Sequence, residues 1–144
     1  MSVYTTLSPA EIAAFMAGYG LTLQASQPIL SGIENSNWFV SDRTGRQYVL
    51  TLFEHRGMTE VQQLAQLMHQ LARQGIPVAE PLSTALGITI HSLQGKPAQL
   101  APRLKGSHPQ TPENAICRQM GASLAALHLA FDRIEQEGQL TMIP

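Results

Sequence analysis

The run from Asn37 to Phe53 constrains the chain more than any other stretch. "NWFVS" and "QYVLTLF" are rich in β-branched and aromatic residues, the composition of strands, and "DRTG" between them supplies hairpin chemistry through Asp42 and Gly45. Upstream, "LTLQASQPIL" reads as a less regular strand, with Pro28 marking a sheet edge or a strand end. Three antiparallel strands are the economical reading. Downstream, "GITIHSL" and "KPAQLAPRL" predict a second hairpin that turns near Gln94-Gly95.

Helices flank these strands. In "SPAEIAAFMAGYG", Ser8 is the expected N-cap, Pro9 the first helical residue and Glu11 the partner in a capping box. Ile12, Phe15, Met16 and Tyr19 share one face, and Gly20 can end the helix. "TEVQQLAQLMHQLARQG" predicts a second helix with Thr59 and Gln62 as its capping box and Val61, Leu64, Leu67, Met68 and Leu71 on one face. Gly75 stops it and Pro77 prevents resumption. After the polar linker "KGSHPQ", a third helix is expected, capped by Thr111 with Pro112 at its first position. Ile116, Met120, Leu124 and Leu127 mark its buried side. The fold class is therefore α+β, with five antiparallel strands and one helix inserted after the third. The last helix has little left to pack on.

Bulk properties exclude several functions. The 144 residues suit one domain or one lobe of a larger one, and 44% hydrophobic against 13% charged residues argues for a packed core. A net charge of -1 draws in neither nucleic acid nor anionic membrane. The N-terminus has no signal-peptide pattern, and no apolar run approaches the ~20 residues of a membrane span. The one cysteine, Cys117, fits a reducing cytoplasm, and its place on a helix predicts a buried, inert thiol. Five histidines are scattered singly, with no pair at metal-ligand spacing.

"SGIENSN" opens the central hairpin. Such a loop can bring backbone N–H groups to phosphates, with Gly32 permitting close approach and Ser31, Asn35, Ser36 and Asn37 adding donors. An ordinary polar hairpin loop is the competing reading of the same residues.

The order of elements, together with "GIENSNWFV", "YVLTLFE", "LMHQLARQGIPVAEPL", "LQGKPAQLAPRLKG" and "MGASLAALHLA", resembles the homoserine kinases related to aminoglycoside and choline kinases. "MSVYTTLSPAEIAAFMAGYG" is similar to their opening strand–helix element. The resemblance covers the chain to about Phe131 and implies a kinase-like small lobe over 1–106, then a linker and the first helix of a large lobe over 107–144. It implies ATP as cofactor, with phosphates under the loop. It places Thr51 where the wider superfamily carries a phosphate-binding cation, although the homoserine-kinase subgroup shares "LTL" there. It puts the adenine edge against the hinge backbone from Ala101 through Arg103 to Leu104. Arg46 and Arg56 could replace the missing cation or be surface arginines. Glu54 or Glu60 could take the acidic role linked to the following helix, or Glu60 could simply favour its helix terminus.

The catalytic Asp and the magnesium-binding residues of such kinases lie in the second half of a longer chain. Here Asp42 and Asp132 are the only aspartates, and "HLAFD" lacks the catalytic-loop spacing. Two expectations follow. One is the nucleotide-binding half of a homoserine kinase-like phosphotransferase, inactive alone, with magnesium entering only with the missing half. The other is a free-standing binding or assembly module, homo-oligomeric through its C-terminal helix.

Overall fold

A computed structural model describes residues 5–111 and 113–138. The elements run α1 (Pro9–Gly18), β1 (Leu23–Ile29), β2 (Asn35–Asp42), β3 (Gln47–Phe53), α2 (Met58–Arg73), β4 (His91–Leu93), β5 (Lys96–Pro102) and α3 (Asn114–Gln136). The strands form one sheet of order β1-β2-β3-β5-β4, antiparallel throughout, so the expected α+β architecture is present. Any part of an opening strand on Met1–Tyr4 lies outside the described residues.

Strand parity divides the sheet into two faces. Trp38, Val40, Tyr48, Leu50, Leu52, Ala98 and Leu100 point to one face and bury against Leu7, Ile12, Phe15 and Met16. The opposite face is covered at one end by α2, where Phe53 and Ile90 pack on Val61 and Ala65. On the rest of that face Asn37, Phe39, Val49, Thr51 and Gln99 are only half-buried.

Local chemistry explains the boundaries. Ser8 and Glu11 form the reciprocal capping box, with Pro9 in the first turn. Asp42 Oδ1 accepts from the backbone N–H of Thr44 and Arg46 and from the Thr44 hydroxyl, which fixes the β2–β3 turn. Gln94 and Gly95 both take positive φ, 49° and 74°, in the tight β4–β5 turn. Pro28 sits in edge strand β1, where a missing N–H costs no ladder bond.

Several expectations need correction. Helix α2 starts earlier than the Thr59–Gln62 capping box implies: Gly57 is its N-cap, without a side-chain bond, and the Gly57 carbonyl takes the Val61 N–H. Glu113, not Thr111, is the N-cap of α3, and Pro112 lies outside the described residues. Of the side of α3 expected to be buried, Met120 is 67% exposed, Leu124 is 53% exposed, and Ile116 and Leu127 are half-buried. The helix is instead anchored through its second half, where Ala130 and Ile134 pack with Leu71 of α2. Cys117 is exposed rather than buried, as are most residues of the first half of α3.

Candidate nucleotide site

The half-buried sheet face leads toward the β1–β2 loop in three rows. Antiparallel register aligns Gln27, Phe39, Val49 and Ala101 in one row, and Ile29, Asn37, Thr51 and Gln99 in the next. Asn35 and the loop over residues 30–34 close the end. From Phe39 to Asn35 is four residues, or roughly 13 Å of strand. The face therefore changes along its length from an aromatic and aliphatic patch, through neutral amides and a hydroxyl, to exposed backbone.

At the first end, the Arg103 guanidinium lies over the Phe39 ring, 3.9 Å from its centroid. Arg103 is held there by its backbone N–H to Gln47 O at 3.0 Å and by Nη1 to Gln47 Oε1 at 3.1 Å. Ala101 is buried opposite Val49, and the chain leaves the sheet just beyond it.

In the middle, Thr51 Oγ1 donates to Asn37 Oδ1 at 2.8 Å, and Asn37 Nδ2 donates to Asn35 O at 3.2 Å. Both ends of the Asn37 amide are used, so its orientation is fixed by two different partners. Gly32 folds down on this pair. A Cβ placed on Gly32 would sit 3.2 Å from Asn37 Nδ2, a tight contact, and 2.9 Å from Asn35 O, closer than a side-chain carbon tolerates. Glycine is therefore required at position 32 for close approach, not for its φ. Ser31 is exposed on the loop, and a turn at residues 30–31 carries the backbone from β1 to Gly32.

Ser36 stands apart from the other loop residues. Even-numbered β2 positions face α1, so the Ser36 hydroxyl is buried on the opposite side and donates to Glu54 Oε1. Glu54 also receives the Thr5 N–H at 3.0 Å and pairs with Lys96. Burial disfavours the charge of this carboxylate, but the bonds from Lys96, Ser36 and Thr5 outweigh it and hold its pKa at about 2. Glu60 pairs with Arg56 beside it. Arg46 lies in the β2–β3 turn, at the end of β2 away from the loop.

The structure thus brings Gly32, Asn35, Asn37, Thr51, Ala101 and Arg103 to one face, leaves Ser31 at the loop tip, and turns Ser36 away. Phe39, Val49 and Gln99 complete the face. Their strand parity with Asn37 and Thr51 is the signal that identifies them. The neutral donors of this face do not make a magnesium site. Glu54 is ion-paired on the opposite face and Glu60 is ion-paired to Arg56. Among the described residues no group of three His, Cys, Asp or Glu side chains could hold a metal ion.

Comparison with known proteins gives this geometry a context. A homoserine kinase of Cupriavidus metallidurans is 40% identical over 134 residues, covering 90% of this chain and 41% of that protein. One from Polaromonas naphthalenivorans is 42% identical over 131 residues, covering 90% and 41%. One from Cupriavidus pinatubonensis is 38% identical over 149 residues, covering 100% and 45%. The chain thus spans less than half the length of the curated relatives it matches. Among solved structures, a spectinomycin phosphotransferase in complex with ADP and spectinomycin superposes with a TM-score of 0.70 at 14% identity, over 88% of this chain and 39% of that one. An amicoumacin kinase with AMP-PNP and Ca2+ superposes with a TM-score of 0.50 at 21% identity, over 69% and 32%. At those identities the likeness is one of fold. The model of the APH phosphotransferase enzyme family matches residues 26–140, most of the chain. The chain therefore belongs to the APH phosphotransferase enzyme family.

Proposed function

We propose that this chain is the nucleotide-binding part of a homoserine kinase-like phosphotransferase. In this reading ATP lies along the half-buried sheet face. The adenine occupies the Phe39–Val49–Ala101 patch, with its edge toward the backbone from Ala101 to Leu104. The phosphates extend past Asn37 and Thr51 to the loop backbone around Ser31 and Gly32. The observation that carries it is the continuous change of that face from apolar to polar, ending on the β1–β2 loop where Gly32 comes close to Asn35 and Asn37. The similarity to homoserine kinases supplies the substrate class, and the nucleotides held by the two solved relatives support the cofactor.

This chain's own residues position and do not react. The loop amides stabilise phosphate charge, Gly32 lets them approach, and the Asn37–Thr51 bond holds the loop at its distance from β3. Magnesium would supply charge neutralisation in the complete enzyme, and Glu54 and Glu60 are committed to Lys96 and Arg56. Transfer of the γ-phosphate to the homoserine hydroxyl, a step of threonine biosynthesis, thus needs carboxylates from the remainder of such an enzyme. Residues 1–106 form the nucleotide lobe in this reading and 107–144 the start of the second. Cytoplasmic residence belongs to the same reading. The test is an ADP-release assay with ATP, magnesium and homoserine on the purified chain. The expected rate equals the no-enzyme blank, and turnover above it would contradict the assignment of chemistry to the missing portion.

A second reading rests on α3. Met120, Leu124 and Leu129 are 67%, 53% and 57% exposed, and an apolar groove of about 1010 Å³ runs between this helix and Ile76–Val78. A free-standing chain would cover that face by pairing with a second copy, as a non-catalytic assembly module. Light scattering at tens of micromolar distinguishes the outcomes: a dimer supports this reading and a clean monomer removes it.

A further inference from the structure

Behind the β1–β2 loop, on the α1 side of the sheet, lies a partly enclosed cavity of about 460 Å³ that the nucleotide reading does not use. Its volume falls within the range of small-molecule sites. Ile12, Pro28 and Trp38 give it an apolar body, while Thr6, Ser26 and Asn35 bring hydroxyl and amide groups to its wall. Among the described residues no charged side chain lines it. Behind Ser36 and Thr5, Glu54 and Lys96 pair with each other. Gly32, Asn35 and Asn37 belong to this wall as well as to the loop end of the open sheet face.

We infer that this cavity is a second ligand site, for an uncharged small molecule with an apolar, flat body and a hydrogen-bonding edge. The described lining offers an ionic ligand no counter-charge, and an unpaired charge would be desolvated there at a cost. The flat body packs on the Trp38 ring and Pro28, and the polar edge meets Ser26, Thr6 or Asn35. Because Gly32 and Asn37 stand in its wall, an occupant sets the position of the loop from behind. The consequence for nucleotide binding rests on the proposed function, whereas the existence of the site does not.

The test uses no nucleotide. Benzamide serves as the probe, being uncharged and aromatic with an amide edge. It is titrated to its solubility limit into the full chain. Binding is followed by amide NMR shifts and by the fluorescence of Trp38, the single tryptophan. Saturable shifts centred on Ile12, Ser26, Gly32 and the Trp38 indole are expected. They should be lost in Ser26→Leu, which fills the cavity while leaving the rest of the spectrum in place. Thr6→Leu is the second blocking variant if Ser26→Leu misfolds. No saturable shift, shifts centred elsewhere, or shifts that persist in a folded blocking variant would overturn the site. Binding seen only in a chain lacking residues 1–4 would overturn it too, since the cavity would then belong to the chain's own N-terminus.

Discussion

Thr51 on β3 donates its hydroxyl to the side-chain oxygen of Asn37 on β2 at 2.8 Å, at directly paired positions of the sheet. This bond sits where a kinase-like resemblance leads one to look for a cation, and it does a different job. It ties β3 to the residue that holds Asn35 O, and through it the loop. Thr51→Val keeps the shape and removes the donor. The expected cost is about 1 kcal/mol, with faster amide exchange over residues 31–35. Denaturant unfolding and hydrogen exchange check both. Unchanged loop exchange in a destabilised variant would show that the bond supports the sheet and not the loop.

Gly32→Ala probes the same region sterically. The added Cβ would lie 2.9 Å from a backbone oxygen that cannot swing away as a side chain could. Amide shifts should be confined to residues 30–37, with the core around Leu50 and Met16 unmoved. A spectrum identical to the parent would mean that the loop has room the geometry denies it.

Glu54 makes stability depend on acid. Burial raises its pKa, but the Lys96, Ser36 and Thr5 bonds together lower it from 4.5 to about 2. A carboxyl whose folded pKa is depressed binds fewer protons folded than unfolded. Its contribution is therefore complete above about pH 4.5 and is lost as pH falls toward 2. The amount is on the order of 2 kcal/mol. In Glu54→Gln the stability difference between neutral pH and ~pH 3 should shrink by that order. Urea midpoints at the two pH values measure it, and an undiminished difference would place the titration on other groups.

These residues also show what a sequence can and cannot disclose. The Gln94-Gly95 turn and the Ser8–Glu11 cap are local, so spacing alone predicts them, and both are present. Asn35, Ser36 and Asn37 read alike as polar loop residues. Only the start of β2 at Asn35 makes parity apply, and parity sends Ser36 to the other face. The partnership of Glu54 with Lys96 spans 42 positions and leaves no local trace. Gly57 caps α2 through its backbone, so a search for hydroxyl caps passes over it to Thr59. The apolar stripe of α3 was correctly periodic, yet periodicity marks a face that can be buried and does not supply what buries it.

His91 offers a stability gain. Its ring meets Phe15 and Tyr19 edge-on, at centroid distances of 6.1 and 5.0 Å, and its Nε2 is buried with no hydrogen-bond partner among the described residues. His91→Phe keeps an aromatic ring there and removes the unsatisfied nitrogen. A gain of about 1 kcal/mol is expected, read as a higher Tm. A loss would mean that the nitrogen is satisfied in solution, by a water for example.

The central claim concerns where nucleotide lies. The most direct measurement is an ADP titration of the isotope-labelled chain, with amide shifts mapped onto the sheet. Saturable shifts are expected along one track: the loop at Ser31 to Asn37, then Phe39, Val49 and Thr51, then Ala101 to Leu104. Shifts confined to the α1 side around Ser36 and Leu50, or no saturable shift at millimolar ADP, would contradict it.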